Sequence, residues 1–315
     1  MIATVFVKVL TIFGLIAIGI IASKTGLVSE KATPYLNDLL LNVITPLMLI
    51  GTMGSQKLTG SLLHETTQAL LGTAFLILVF FALTFVLVRP LRYQPAMDRG
   101  VLMVLMISCN TGFMGFAITL ALFGKKILYL LVLSNTIQNF YIYGLVPFQL
   151  NYGQKTTLDP RQILRMFFSS LPIIGTLIGC VILFAQIPLP GPLLDMLNSI
   201  GDMTVPLSMF IIGMQLSKSQ PRKLLTNYKL LITCLINLVL MPALAYLITA
   251  FLPITDDVRL ELVATFIFPS AVVCSAVAQK LGKNYVLMAE GITLATFLSL
   301  ITIPIWAIFL TARLV

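Results

Sequence analysis

Runs of apolar residues long enough to cross a lipid bilayer are the feature that most constrains this chain. A helix needs roughly 20 apolar residues to span the hydrocarbon core. Ten such runs can be counted, near residues 3–22, 35–54, 66–88, 97–122, 127–150, 164–185, 193–216, 229–252, 260–279 and 285–311. Only 10% of the residues are charged, against about 25% in average soluble domains. The sequence therefore predicts an all-α integral membrane protein with ten transmembrane helices.

The distribution of positive charge predicts the orientation of the chain. When the nine loops between the runs are numbered in order, fourteen of the 20 Lys and Arg residues lie in odd loops and four in even loops. Cytoplasmic loops are enriched in Lys and Arg, so the odd loops are predicted to face the cytoplasm and both termini the outside of the cytoplasmic (inner) membrane. The net charge of +9 then reflects topology, and no nucleic-acid partner is expected.

A weak internal similarity divides the chain into two halves. "LNVITPLMLIGTMG" in the second run aligns with "GDMTVPLSMFIIGM" in the seventh, which places Pro46 on Pro206, two predicted hinge or kink positions. The halves are residues 1–150 and 164–315, joined by a polar cytoplasmic linker at 151–163. Five runs per half would give the halves opposite orientations, and such inverted repeats are typical of secondary transporters.

The fourth and ninth runs are both interrupted at their centres. The fourth contains the glycine-rich stretch "NTGFMG" from Asn110, and the ninth contains Pro269. Glycine and proline weaken a helix, and irregular backbone at membrane depth is tolerated only where protein or a water-filled cavity surrounds it. Matched interruptions in two halves indicate a transporter's binding site. The alternative is that Gly112 and Gly115 only allow close helix packing.

Each interruption would leave a helix N-terminus with unpaired N–H groups and partial positive charge. Thr111 or Gly112 is predicted to begin one half-helix and Ser270 the other, and two such ends near the bilayer midplane could hold a carboxylate. Asn135, Gln138 and Asn139 share one helix face by their spacing, which suits either binding or helix–helix hydrogen bonds. The predicted substrate-binding residues are Asn110, Thr111, Gly112, Phe113, Gly115, Pro269, Ser270, Cys274, Ser275, Gln138 and Asn139.

Ionisable groups inside membrane spans are candidates for ion or proton coupling. The predicted coupling residues are Asp202, Glu290 and the polar Asn42, which aligns with Asp202 in the repeat, and a structural hydrogen bond is the alternative for Asp202. The single histidine and the four cysteines in apolar runs predict no metal site, disulfide or cofactor. The sequence contains no nucleotide-binding loop of the Gly-x-x-x-x-Gly-Lys-[Ser/Thr] type and no constellation for an intramembrane enzyme.

Four motifs together resemble the auxin efflux carrier family along essentially the whole chain: "NTGFMGFAITLALFG", "VPLSMFIIGMQLS", "PSAVVCSAVAQKLG" and "LSLITIPIW". The resemblance implies a fold similar to bile acid–sodium symporters, with the broken fourth and ninth helices crossing. It also implies a scaffold of helices 1, 2, 6 and 7, a mobile unit moving as an elevator, and a homodimer. This chain has Phe116-Ala117 where family members often have a proline, so its fourth helix would be bent by glycines alone.

The expected function is that of a secondary transporter of a small organic anion. The bacterial members of the family are commonly assigned as malate or malonate permeases, and a mono- or dicarboxylate or an auxin-like acid is the expected substrate. Coupling to a proton or sodium ion and the direction of transport are open. The alternative is a passive facilitator or channel, which would not accumulate its solute.

Overall fold

The computed structural model of the chain describes residues 2–29, 31–56, 59–152, 171–218 and 224–314, and these residues contain helices and no strand. The principal helices, in chain order, are α1 (Ile2–Lys24), α2 (Ala32–Gly54), α3 (Gly60–Leu87), α4 (Arg99–Ile107), α5 (111–123), α6 (125–150), α7 (Leu171–Phe184), α8 (Gly191–Gly201), α9 (Thr204–Lys218), α10 (Tyr228–Thr249), α11 (Asp256–Phe266), α12 (Val273–Lys280) and α13 (Tyr285–Leu314).

Six segments of the described chain are long and apolar enough to cross a membrane: Ala32–Gly54, Gly60–Leu87, Ala96–Leu150, Gly191–Ser217, Tyr228–Thr249 and Tyr285–Leu314. Leu10–Lys24 and Leu171–Phe184 are shorter apolar helices. Ala96–Leu150 has 55 residues, far more than one crossing needs. It is kinked at Gly124, whose φ of 85° is non-helical, and it folds back so that Thr111 bonds Asn135.

Three helices contain a wide π-helical turn just before an internal proline. Such turns occupy Leu40–Ile44, Tyr141–Leu145 and Ile236–Leu240, and each ends two residues before a proline. Proline cannot donate a backbone hydrogen bond and clashes with the preceding turn, and a π turn gives it room. At Pro242 the carbonyl of Leu238, which has lost its usual donor, accepts instead from Trp306 Nε1 at 3.0 Å.

Two helix pairs pack unusually closely because glycines face the neighbouring backbone. Helix α1 packs on α9, where a Cβ atom at Gly213 would lie 2.1 Å from the carbonyl oxygen of Ile16. Helix α2 packs on α7, where a Cβ atom at Gly175 would lie 2.7 Å from Cα of Pro46. Only glycine allows these backbones to approach so closely.

The two interrupted segments form the most buried part of the molecule. Every residue of α4 from Gly100 to Ile107 is buried, and so is every residue of α11 from Leu260 to Phe266. Helices buried on all sides belong in the middle of a bundle. The remaining helices therefore surround the interruptions and place them in the interior.

The described helices overlap all ten predicted apolar runs, although residues 164–170 and most of the linker at 151–163 lie outside the described residues. Helix α5 begins at Thr111, as predicted. The prediction that Ser270 begins the other half-helix is wrong, because α12 begins only at Val273. The residues before it are held in a non-helical conformation by bonds to the other interrupted segment.

Candidate functional site

The two interruptions contact each other directly. The backbone N–H of Asn110, between α4 and α5, donates to the carbonyl of Pro269, between α11 and α12, at 2.7 Å. The hydroxyl of Ser270 donates to the carbonyl of Leu105 in α4, also at 2.7 Å. Backbone groups that lose their helical partners inside a protein must find others. Here each interruption supplies a partner to the other, which fixes their crossing.

A buried asparagine on a third helix completes the crossing. Asn237 of α10 is fully buried, and its side-chain amide lies 3.2 Å from the carbonyl of Met106 and 3.4 Å from that of Ser108. It thus donates to the carbonyls left free where α4 ends. The carbonyl of Asn110 in turn accepts from the N–H of Met114 and Gly115 in the first turn of α5, at 3.1 and 2.9 Å.

The two glycines of the first interruption differ in their surroundings. A Cβ atom at Gly115 would lie 3.0 Å from two ring atoms of Phe268, so this glycine lets the second interruption approach α5. A Cβ atom at Gly112 would have Asn135 Oδ1, at 3.8 Å, as its nearest neighbour. The packing alternative therefore accounts for Gly115, while a methyl group at Gly112 would make only an ordinary van der Waals contact.

A cavity of about 450 Å³ lies against the crossing, within the range of small-molecule sites. The first residues of α5 and the residues that lead into α12 both form its wall, and α2, α6, α7 and α9 close the remainder. Its lining residues are Asn37, Leu41, Asn42, Thr45, Cys109, Asn110, Thr111, Gly112, Phe113, Asn135, Asn139, Ile142, Tyr143, Leu171, Pro172, Gln215, Ala271, Val272, Val273, Ala276, Val277 and Lys280.

The polar groups of this cavity suit an anion. Lys280 is the one charged residue among its described lining residues, which include no Asp or Glu. Amides and hydroxyls supply the other polar groups. Thr111 Oγ1 donates to Asn135 Oδ1 at 2.6 Å, which leaves the Asn135 NH₂ group available as a donor. The N-termini of α5 and α12 add the partial positive charge of the helix dipole.

The predicted binding residues fall into three groups. Those on the cavity wall are Asn110, Thr111, Gly112, Phe113 and Asn139. Gly115, Pro269 and Ser270 form the crossing behind the wall. Gln138, Cys274 and Ser275 are not among the lining residues.

Gln138 and Cys274 instead lie in the protein interior. Both are fully buried, and the Gln138 side chain has no hydrogen-bond partner for its oxygen or its nitrogen among the described residues. Ser275 Oγ donates to the carbonyl of Tyr285 at 3.5 Å. The shared face predicted for three residues of α6 therefore reduces to Asn135 and Asn139 on the cavity wall.

The three predicted coupling residues do not lie together at the cavity. Asn42 lines the cavity, but Asp202 and Glu290 do not. Asp202 is exposed between α8 and α9 and borders a much smaller crevice that also contains Lys125. Pro206 follows this interruption of the seventh run, and Pro46 follows the π turn of α2.

Comparison with known proteins decides the family. Residues 4–307 match the family model described as membrane transport protein, the family to which auxin efflux carriers are related. The chain belongs to this membrane transport protein family. The resemblance inferred from the four sequence motifs is therefore confirmed, and the protein is a multi-pass membrane transporter rather than an enzyme by family.

Two archaeal relatives match over nearly their whole lengths. An uncharacterized transporter of Methanothermobacter thermautotrophicus is 24% identical over 315 residues, which cover 96% of this chain and 97% of the relative. An uncharacterized transporter of Methanocaldococcus jannaschii is 23% identical over 307 residues, which cover 95% and 96%. Both share the transporter designation, and neither name gives a substrate.

Several polar residues of the site escaped the sequence analysis. Asn37, Thr45, Gln215 and Lys280 line the cavity, and Asn237 caps the end of α4. Each is a single polar residue within or beside an apolar run. A lone polar residue in a membrane span is itself a signal of function, and this signal could have identified Asn237.

Proposed function

We propose that this transporter moves small organic anions, either mono- or dicarboxylates, through the cavity at the crossing. The observation that carries the proposal is that both helix starts, at Thr111 and Val273, reach one cavity whose described wall has a lysine and no acidic side chain. Helix N-termini bind carboxylates through unpaired N–H groups and the helix dipole. Anion binding would thus need no buried arginine.

The packing of the outer helices supports an inverted repeat of ten spans. Under the repeat, the first and second runs correspond to the sixth and seventh. The close α1–α9 pairing (runs 1 and 7) then becomes the α7–α2 pairing (runs 6 and 2), and glycine permits the close approach in both. This symmetric four-helix group would be the scaffold, with the interrupted segments in the mobile unit. A homodimer built through the scaffold is part of the proposal.

The position of the cavity supports alternating access. Leu171, Gln215 and Lys280 line it and lie at helix ends beside odd loops, which are predicted to be cytoplasmic. On the even-loop side, Lys126 pairs with Glu65 at 3.0 Å and with Asp257. These ion pairs connect α3, α6 and α11. In this proposal, the cavity reaches the cytoplasmic face and is closed toward the outside.

Uptake into proteoliposomes tests this proposal. Radiolabelled lactate, malonate, malate and indole-3-acetate would be offered under imposed pH or sodium gradients. Val272 is exposed on the cavity wall, so Val272→Trp should fill the cavity and abolish uptake. Val181→Trp is the control, since Val181 is 61% exposed on α7 and is not among the lining residues.

Each outcome separates the candidate functions. Accumulation above the external concentration that Val272→Trp abolishes and Val181→Trp retains would support a coupled anion carrier. Equilibration without accumulation under either gradient would favour a passive facilitator. Unchanged uptake by Val272→Trp would contradict the assignment of the cavity.

A further inference from the structure

A buried carboxylate lies in the protein interior, apart from the anion cavity. Glu261 is in the middle of α11 and has no exposed surface. It is absent from the cavity lining, and the sequence patterns did not single it out. Charged residues are almost never fully buried unless they are paired. This carboxylate therefore requires a chemical explanation.

The neighbours of Glu261 are hydroxyl groups. Oε1 accepts a hydrogen bond from Thr265 Oγ1, one turn further along α11, at 2.9 Å. The Ser134 hydroxyl of α6 lies beside the carboxylate and accepts from Thr73 Oγ1 of α3 at 2.9 Å. Oε2 is buried and has no hydrogen-bond partner among the described residues.

Several titratable groups on the helices around Glu261 are engaged with other partners. Helix α11 packs against α3, α6, α10 and α13. Lys126 binds Glu65 and Asp257, Arg259 lies over the Tyr246 ring, and the Tyr129 hydroxyl bonds Thr66. The remaining titratable residues of these helices are His64, Lys125, Tyr141, Tyr143, Tyr228, Lys229, Cys234, Asp256, Tyr285, Glu290 and Arg313. Within the described chain, the ion pairs are those of Lys126 with Glu65 and Asp257, and Thr265 is the hydrogen-bond partner of Glu261 Oε1.

An ionised carboxylate in such surroundings would be very costly, because the side chain is fully buried and no basic side chain of the described residues pairs with it. The neutral acid avoids this cost, and its O–H can donate a hydrogen bond to the neighbouring Ser134 hydroxyl. A metal ion would need several further oxygen ligands, whereas a proton needs only the carboxyl group. We propose that Glu261 binds the proton whose movement is coupled to the transported anion, which rests on the proposed function.

Contacts on both sides of Glu261 connect it to the anion cavity. Thr265 is the penultimate residue of α11, directly before the interruption that contains Pro269. Ser134 precedes Asn135, which bonds Thr111 on the cavity wall. Gain or loss of the proton changes which of these hydroxyls donates to the carboxyl group, and thereby shifts the two sides of the crossing.

The position also defines the stoichiometry. Glu261 and the part of the cavity wall formed by residues 271–280 belong to the same interrupted segment, so we expect one proton and one anion to move together in the same direction. The carboxyl O–H bond forms on the side of uptake and breaks on the side of release, with the proton returned to water. A monocarboxylate moved with one proton carries no net charge, so its transport would be independent of membrane potential.

Infrared difference spectroscopy tests the protonation state without any substrate. Wild-type protein in lipid at neutral pH should show the C=O stretch of a protonated carboxylic acid, which Glu261→Gln should lack. Asp256→Asn is the matched control, because Asp256 is exposed on the same helix and its replacement should leave the band in place. Absence of the band from wild type, or its persistence in Glu261→Gln, would overturn the proposal.

Transport provides the second measurement, with labelled lactate or malate, whichever the wild type carries. A one-unit pH gradient can drive about tenfold accumulation of a monocarboxylate with one proton. Glu261→Gln should lose this accumulation but retain exchange of labelled for unlabelled anion. Accumulation driven by sodium and unaffected by pH would overturn the proposal. If the wild type carries no tested anion, the proposed function fails, and the infrared band alone decides whether Glu261 holds a proton.

Discussion

The crossing of the two interruptions depends on the missing side chain at one glycine. Replacing Gly115 by alanine would place a Cβ atom 3.0 Å from two ring atoms of Phe268 and 3.4 Å from the carbonyl oxygen of Asn110. Overpacking of this kind costs about 1–3 kcal/mol. Alanine also favours the helix over glycine by about 1 kcal/mol, so the net loss for Gly115→Ala is about 0–2 kcal/mol.

Gly112→Ala is a control from the same helical turn. It gains the same helix preference, but its new methyl group would meet only Asn135 Oδ1, at 3.8 Å. The difference between the two variants therefore isolates the steric effect, about 1–3 kcal/mol.

Thermal unfolding in detergent can be followed with a thiol-reactive dye, because Cys109, Cys234 and Cys274 are buried until the protein unfolds. Gly115→Ala should melt below the wild type, and Gly112→Ala at or above it. Equal melting temperatures for the two variants would refute the account of the crossing.

Three further perturbations test individual contacts. Thr111→Val should lower the melting temperature, because it removes the donor to Asn135 and leaves a buried oxygen unpaired, at a cost of about 1–3 kcal/mol. Thr111→Ser should retain the bond, and equal melting temperatures for the two variants would contradict this. Gly213→Ala should severely reduce the yield of folded protein, since its Cβ atom would lie 2.1 Å from a carbonyl of α1, while Gly14→Ala has nothing within 4 Å and should be neutral. Lys126→Gln should lower the melting temperature at low salt, and the difference should shrink at high salt because Lys126 is 48% exposed and its ion pairs are screened.

Sequence patterns predict the helical runs and the start of α5 well, because hydrophobic length and glycine content are local properties. The residue at which the ninth helix resumes after its interruption could not be predicted from such local properties. The carbonyl of Pro269 accepts a hydrogen bond from the other interruption, and the hydroxyl of Ser270 donates one to α4. The helix therefore resumes only at Val273. That choice depends on a contact between residues more than 150 positions apart.

The site itself is predicted less completely than the fold. Asn135 and Asn139 are one helical turn apart and line the cavity, whereas Gln138 lies about 100° from Asn139 around the helix and points into the interior. Which of these side chains line the cavity depends on how wide the cavity is, and the spacing of the residues alone does not give that width. Asn237 and Glu261 were missed because single polar residues do not alter the apolar character of their runs.

Protection of an introduced cysteine tests the central claim, that an anion binds between the two helix starts, most directly. Val272→Cys would place a thiol on the cavity wall, where Val272 is 41% exposed, and the wild type with its native cysteines gives the background. Lactate, malonate or malate should slow alkylation by a charged maleimide, and the corresponding uncharged amides should not. Equal protection by acids and amides, or protection by neither, would contradict the claim.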